Sequence, residues 1–136
     1  MGNEIIRIEH LRKDFGSRCV LKDINFTVKP KEVVCIIGSS GSGKSTLLRC
    51  INLLERPTSG EILYHDQDIT TGKMSLAKLR SKVGMVFQQF NLFNNLTVLE
   101  NCVIGQMKVL KRSRKKSEEM AMEFLTKVGM EKFINA

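Results

Sequence analysis

Apolar and polar residues alternate in two stretches near the N-terminus, which is the pattern of half-buried strands. The first stretch spans residues 5–11 and the second spans residues 20–29. Residues 14–17, with the sequence DFGS, predict a turn between them, and the sequence KPKE at 29–32 predicts a second turn. The pattern therefore predicts two strands joined by a turn.

Two other runs are apolar without alternation. Val33–Ile37 is apolar at every position and rich in β-branched side chains, as expected of a strand covered on both faces. Val83–Phe87 predicts a second buried strand of this kind. Between them, Gly60–Ile69 predicts a further strand and turn.

Helical periodicity begins after Lys44, and the predicted helix ends near Pro57. Its apolar stripe comprises Leu47, Leu48, Ile51 and Leu54. A short helix is predicted over Ser75–Lys82. The order is therefore mixed β, then α/β, then nearly all helix.

The C-terminal third is predicted to be helical. Thr97 and Glu100 have the spacing of a capping box, in which each residue bonds the backbone N–H of the other. Further on, one predicted helix face carries Ala121, Phe124, Leu125 and Val128. Gly129 is suited to the position just after the helix end.

The composition is that of an ordinary soluble domain, with 136 residues, 42% of them hydrophobic and 26% charged. The aliphatic run at 33–37 is far shorter than the roughly 20 residues of a membrane helix. Residues 1–10 lack a cationic segment followed by an apolar one, so we expect a cytoplasmic protein. The four cysteines are widely spaced and are predicted to be free, partly buried thiols.

The net charge of +8 raises the question of nucleic-acid binding. Residues 111–116, KRSRKK, contain five of the cations, and no aromatic residue is interleaved with them for base stacking. This pattern favours a solvated helix start or a contact with an anionic surface over a nucleic-acid site.

The most specific motif is G-x-x-x-x-G-K-[ST], which binds phosphate. It is formed by Gly38, Ser39, Ser40, Gly41, Ser42, Gly43, Lys44 and Ser45. Glycines let backbone N–H groups converge on phosphate oxygens, and the following helix start favours an anion. Lys44 supplies a charge for the β- and γ-phosphates, the Ser45 hydroxyl can ligate Mg²⁺, and Thr46 can reach the α-phosphate. A flexible Gly/Ser loop is the alternative, but the position between a predicted strand and a predicted helix favours the phosphate site.

Two longer segments carry a family resemblance. The sequences GSSGSGKSTLLRCINLLERPTSGEI and KVGMVFQQFNLFNNLTVLEN resemble the ATP-binding subunit of ATP-binding cassette (ABC) transporters, most of all importers of polar amino acids. The resemblance extends from Ile6 to the last residue. It implies an incomplete α/β P-loop NTPase of the ABC type: a β-rich and P-loop core at 1–88, and the start of a helical subdomain at 89–136.

The resemblance also implies ATP and Mg²⁺ as cofactors and assigns further roles. Phe15 matches the aromatic that stacks on adenine, with Val20 packing beside it, although a core aromatic is the alternative. Gln88 matches a glutamine that contacts Mg²⁺ and the attacking water, although a buried amide closing a sheet end is the alternative. Lys44 and Gln88 are the expected catalytic residues, and Ser45 and Gln88 the expected metal ligands.

The partners implied are transmembrane permease subunits, a second ATP-binding subunit and, indirectly, a solute-binding protein, with no nucleic acid. Phe90–Asn101 matches the surface that receives the permease, with Asn94 where the family usually has proline. The expected location is the cytoplasmic face of the membrane, as a peripheral protein.

Other family motifs are absent from the sequence. No Ser-Gly-Gly occurs, no run of four aliphatic residues ends in an acid, and no histidine lies beyond His65. We therefore expect the N-terminal part of an energy-coupling import subunit that does not hydrolyse ATP alone. The alternatives are a non-catalytic nucleotide- or partner-binding fragment and an ABC ATPase outside transport. A GTPase is disfavoured, since no asparagine precedes a lysine.

Overall fold

The computed structural model describes residues 3–136, which form a mixed α/β structure as predicted. One compact unit ends at Gly84, and Met85–Ala136 form a second. The predicted domain division, 1–88 and 89–136, stays a prediction. The strands and helices are β1 (Ile6–Phe15), β2 (Arg18–Val28), α1 (Lys44–Ile51), β3 (Ser59–Tyr64), β4 (Gln67–Asp68), α2 (Leu76–Lys82), α3 (Val98–Lys108) and α4 (Arg114–Lys127), with 3₁₀ turns at Ile69–Thr71 and Glu131–Phe133.

The four strands form one antiparallel sheet in the order β2-β1-β3-β4. The two N-terminal strands and the strand with turn at 60–69 are confirmed. The predicted turn at 14–17 is shorter than expected, because Asp14 and Phe15 still pair with β2. Only Gly16 and Ser17 form the turn.

The core of the first unit lies between this sheet and α1. Ile8 and Leu11 of β1 are almost fully buried, as is Ile62 of β3. Leu47 and Cys50 of α1 belong to the same cluster. The apolar side chains of the sheet and of α1 thus form one buried cluster.

The predictions of buried strands at Val33–Ile37 and Val83–Phe87 are wrong for this structure. Neither run is a strand, and Val33, Ile37 and Val86 are 88%, 94% and 97% exposed. A strand covered on both faces needs hydrogen-bonded neighbours at its edges. Among residues 3–136 the one sheet consists of β1 to β4, so these runs have no strand to pair with.

The helix after Lys44 is confirmed, but it ends at Ile51, well before Pro57. Leu53 follows with a φ of +58°, which ends the helical path and buries its side chain. Leu48 and Leu54 of the predicted apolar stripe are exposed instead. The early end therefore replaces Leu54 by Leu53 in the core. The short helix at 75–82 is confirmed, with Ser75 as its N-cap.

The second unit is helical as predicted. The capping box is confirmed, since Thr97 Oγ1 accepts from Glu100 N at 3.1 Å and Glu100 Oε2 accepts from Thr97 N at 2.8 Å. Gly129 lies just after α4 with a φ of +74°, also as predicted. The predicted apolar face of α4 is only half correct: Ala121 and Leu125 are buried, but Phe124 and Val128 are exposed. These two side chains therefore lie outside the core of this unit.

The structure bears on two expectations drawn from the composition, one about the cysteines and one about membrane helices. All four cysteines are free, but only Cys50 is buried and the other three are exposed, so the prediction of partly buried thiols was wrong for those three. Over residues 3–136, no helix has the length and apolar character needed to cross a membrane.

Candidate phosphate-binding site

The glycine-rich loop at 38–43 leads directly into α1. Gly41 and Gly43 have φ angles of +80° and +96°, in the left-handed region that glycine enters without strain. The Ser42 N–H donates to the Ser39 carbonyl at 3.1 Å, which closes a tight turn. The loop therefore curls back on itself before the helix begins.

The glycines at 41 and 43 are required for different reasons. A Cβ on Gly43 would lie 3.1 Å from side-chain carbons of Val20 and Leu21, and 3.2 Å from the Val20 carbonyl oxygen. A Cβ on Gly41 would meet no atom within 4 Å. Gly43 thus lets the loop lie against β2, whereas Gly41 is needed only for its backbone conformation.

The start of α1 favours an anion. Gly43 is the N-cap residue and has no side chain with which to cap, and the first turn contains no acidic residue. The first helical bond runs from Leu47 N to Gly43 O at 2.9 Å. The amides of Lys44, Ser45 and Thr46 therefore lie outside the helical hydrogen-bond ladder, where they are available to phosphate oxygens.

Lys44 brings a positive charge into the loop. Its Nζ donates to the carbonyl oxygens of Gly38 and, at 2.8 Å, of Ser39. The side chain is half-buried, while Ser45 and the serines at 39, 40 and 42 are exposed. The ammonium group and the helix amides therefore belong to the same short segment of chain.

These residues fit a polyphosphate. Free amides, one cation and the absence of an acid in the first turn all favour an anionic ligand. In residues 3–136 no group of three or more His, Cys, Asp or Glu side chains could hold a metal ion. A Mg²⁺ ion would therefore depend on phosphate oxygens and hydroxyls such as that of Ser45, the usual arrangement for this ion.

Phe15 ends β1, next to the turn that leads into β2. It is 44% exposed, which contradicts the alternative of a core aromatic. The Lys13 Nζ lies 4.9 Å from the centroid of its ring. Val20 is half-buried on β2 and contacts the loop at Gly43. The structure thus brings Val20 to the loop and leaves part of the Phe15 ring accessible, but sequence reasoning missed Lys13.

Charged groups surround the Phe15 end of the hairpin. The pKa of Asp14 is lowered by its hydrogen bond with Cys19 and by Arg12, whose Nε lies 3.1 Å from Asp14 Oδ2.

Two cysteine thiols have raised pKa values. The hydrogen bond with Asp14 raises the pKa of Cys19, and burial raises the pKa of Cys50 to about 11. Both thiols are therefore protonated at neutral pH, which makes them poor nucleophiles.

Gln88 lies in the second unit, in an exposed turn that the Phe90 N–H closes onto the Phe87 carbonyl at 3.3 Å. Its exposure contradicts the alternative of a buried amide at a sheet end. The other predicted site residues all belong to the first unit.

The segment Phe90–Asn101 exposes three large apolar side chains, Phe90, Leu92 and Phe93. The Asn101 side chain holds it in place: Oδ1 accepts from Phe93 N at 2.9 Å, and Nδ2 donates to Thr97 O at 2.9 Å. The loop that precedes α3 is thus fixed to the first turn of that helix and exposes apolar side chains.

An α/β fold with a glycine-rich loop opening a helix defines a protein of the phosphate-loop class. A sequence model of the ABC transporter family matches residues 21–136, and the chain belongs to this family.

Several curated relatives are similar over most of the chain. The arginine transport ATP-binding protein ArtM of Bacillus subtilis is 48% identical over 93% of this chain and 52% of its own length. The glutamine transport ATP-binding protein GlnQ of Geobacillus stearothermophilus is 46% identical over 97% of this chain and 54% of its own length. The chain thus spans about half the length of the curated relatives that it matches.

Solved structures are similar as well. A bacterial ABC transporter cassette solved as a dimer has a TM-score of 0.85 and 35% identity, over 96% of this chain and 60% of its own. The cbiO1 protein of Clostridium perfringens, part of the transporter complex cbiONQ, has a TM-score of 0.80 and 29% identity over 98% and 53%. The fold predicted from the sequence is therefore confirmed.

Proposed function

We propose that the chain belongs to the ATP-binding, energy-coupling component of an amino-acid importer. The observation that carries the proposal is the glycine-rich loop at 38–43 together with the start of α1. The loop conformation, the Lys44 ammonium and the uncapped α1 amides suit a triphosphate. The arginine and glutamine transport proteins described above point to amino acids as the transported class. A related cassette was solved with ADP and Pi bound, which supports an adenine nucleotide as ligand.

In this proposal the loop and α1 hold the phosphates. The amides of Lys44, Ser45 and Thr46 donate to phosphate oxygens, and the Lys44 ammonium neutralises charge on the β- and γ-phosphates. Mg²⁺, when bound, would offset the charge of the phosphates, and the Ser45 hydroxyl would hold it. Together these groups bind and orient the triphosphate.

Phe15 is proposed to hold the adenine base. Part of its ring is accessible to solvent, and its strand is hydrogen-bonded to β2, which contacts the loop through Val20. An aromatic face is suited to a base because stacking requires no particular hydrogen-bond pattern. The proposed nucleotide site therefore combines a stacking residue with a phosphate loop.

The segment Phe90–Asn101 is proposed as the surface for the transmembrane permease subunits. Its Phe90, Leu92 and Phe93 are all exposed, and exposed apolar side chains close together in the sequence favour a protein interface. A second ATP-binding subunit is proposed as a further partner, and a solute-binding protein as an indirect one. A component that contacts a permease in this way would be peripheral, at the cytoplasmic face of the membrane.

The proposed function can be tested with a chimera. Residues 1–136 would replace the matching half of ArtM from Bacillus subtilis in cells that lack their own copy. We expect the chimera to bind ATP and to support arginine uptake, and the same chimera with Lys44→Ala to fail in both. A chimera that binds ATP normally but supports no uptake would contradict the energy-coupling role.

We also expect Phe15→Ala to weaken ATP binding roughly 5- to 150-fold, because stacking on a base contributes about 1–3 kcal/mol. Phe15→Tyr keeps the ring and should bind ATP like the parent. Titration with a fluorescent ATP analogue measures the affinities, with inorganic tripolyphosphate as a competitor that lacks a base. Phe124→Ala is the matched control, since Phe124 is an exposed aromatic of the second unit with a lysine at the same distance. Equal affinity of parent and Phe15→Ala for ATP would refute the adenine contact.

A further inference from the structure

Lys13 is placed against Phe15 by the local geometry of the sheet. Lys13 and Phe15 are two positions apart in β1, so their side chains lie on the same face of the strand. Here the Lys13 Nζ lies 4.9 Å from the centroid of the Phe15 ring, within the range of a cation–π contact.

The Lys13 ammonium also contacts two residues other than Phe15. Its Nζ donates to the Arg56 carbonyl oxygen at 2.8 Å and lies 3.5 Å from Glu55 Oε2. The side chain is only 15% exposed, in contrast to the freely moving lysines of a protein surface. Glu55 and Arg56 follow the C-terminal end of α1, whose N-terminus is the proposed phosphate site.

We propose that Lys13 is a positioning residue for nucleotide binding, which holds the Phe15 ring by one face and leaves the other face for the base. This inference rests on the proposed function, in which Phe15 stacks on adenine. A fixed ring loses less conformational entropy when the base stacks on it, so the free energy of stacking is realised more fully. Through Arg56 and Glu55, Lys13 also ties the ring to the segment after α1.

The contact that ties β1 to this segment does not depend on Lys13 alone. Thr58 N donates to Arg12 O at 2.8 Å, and Asp14 N donates to Thr58 Oγ1 at 2.9 Å. These bonds remain when Lys13 is replaced. Loss of the Lys13 ammonium therefore removes the restraint on the ring while leaving the strand attached.

The test uses the 136-residue chain with Lys13→Met, which keeps an unbranched side chain but removes the charge. We expect ATP affinity to fall roughly two- to five-fold, which is of the order of the effect of one cation–π contact. Affinity for inorganic tripolyphosphate, which has no base, should not change. Lys13→Arg should bind ATP with the affinity of the parent chain, because a guanidinium also binds an aromatic face.

Two controls make the test specific. Lys127 lies 4.9 Å from the Phe124 ring in the second unit, so Lys127→Met removes an equivalent contact and should leave ATP affinity at the parent value. In a Phe15→Ala background, Lys13→Met should have no further effect on ATP binding. This non-additivity distinguishes action through the ring from independent effects.

Other outcomes separate this inference from the proposed function. If Phe15→Ala weakens ATP binding and Lys13→Met does not, the positioning role is overturned and the adenine site stands. Equal losses of ATP and tripolyphosphate affinity in Lys13→Met would show a purely structural tie and overturn the role as well. If neither variant changes ATP affinity, both the adenine contact and the positioning role are wrong.

Discussion

Lys44→Ala should weaken ATP binding roughly 10- to 150-fold. The substitution removes a charge-assisted hydrogen bond to phosphate, which contributes about 1.5–3 kcal/mol. Lys44 Nζ already donates to the Gly38 and Ser39 carbonyl oxygens, so the ammonium is held within the loop by its own chain. Isothermal titration with ATP and with tripolyphosphate measures the loss, which should be similar for the two ligands because the contact is to phosphate.

The control for this prediction is Lys78→Ala. Lys78 is an exposed lysine of α2 in the same unit, so its loss changes the net charge equally. We expect Lys78→Ala to bind ATP within about two-fold of the parent, as for a remote surface charge. Equal affinities of the Lys44→Ala chain and the parent would show that the loop does not bind phosphate through this residue.

Lys44→Met distinguishes charge from chain length. Methionine keeps most of the aliphatic stem but cannot donate to phosphate or to the loop carbonyls. If Lys44 acts through its charge, Lys44→Met and Lys44→Ala should lose ATP affinity to the same extent. Much tighter binding by Lys44→Met would mean that packing of the stem, and not the ammonium, supports the loop.

The sequence was sufficient where local chemistry determines the structure. The capping box at Thr97 and Glu100 and the glycine after α4 are confirmed, because each depends on a few neighbouring residues. The alternating pattern predicted β1 and β2, since one face of each strand meets the core. The glycine-rich loop was placed correctly before α1, because its motif also consists of neighbouring residues.

The sequence was insufficient where structure depends on distant partners. The run at Val33–Ile37 has the composition of a buried strand, but it is exposed and unpaired within the described residues. A strand exists only where a neighbour supplies hydrogen bonds, and local pattern contains no information on that neighbour. The contact of Lys13 with Phe15 was missed for a related reason, because the Lys13 ammonium is held by Arg56 and Glu55, which are distant in the sequence.

Gly60 is the clearest case of a residue whose importance depends on register. The pairing of β1 with β3 shifts between Glu9 and Arg12, so Gly60 of β3 faces the irregular part of β1. A Cβ built on Gly60 would lie 2.3 Å from His10 O and 2.7 Å from Leu11 Cα. These are backbone atoms that cannot rotate away, and the Gly60 φ of +93° is itself unfavourable for any other residue.

Gly60→Ala should therefore lower the free energy of unfolding by about 2–5 kcal/mol, combining about 1–3 kcal/mol for forced overpacking with about 1–2 kcal/mol for the positive φ. Gly72→Ala is the matched control, because Gly72 has a φ of +79° but its Cβ would meet no atom within 4 Å. It should cost only the backbone part, about 1–2 kcal/mol. Urea unfolding followed by circular dichroism measures both variants. Equal losses would mean that β1 and β3 can separate at Gly60 without cost, which would contradict the close packing of the sheet around Leu11.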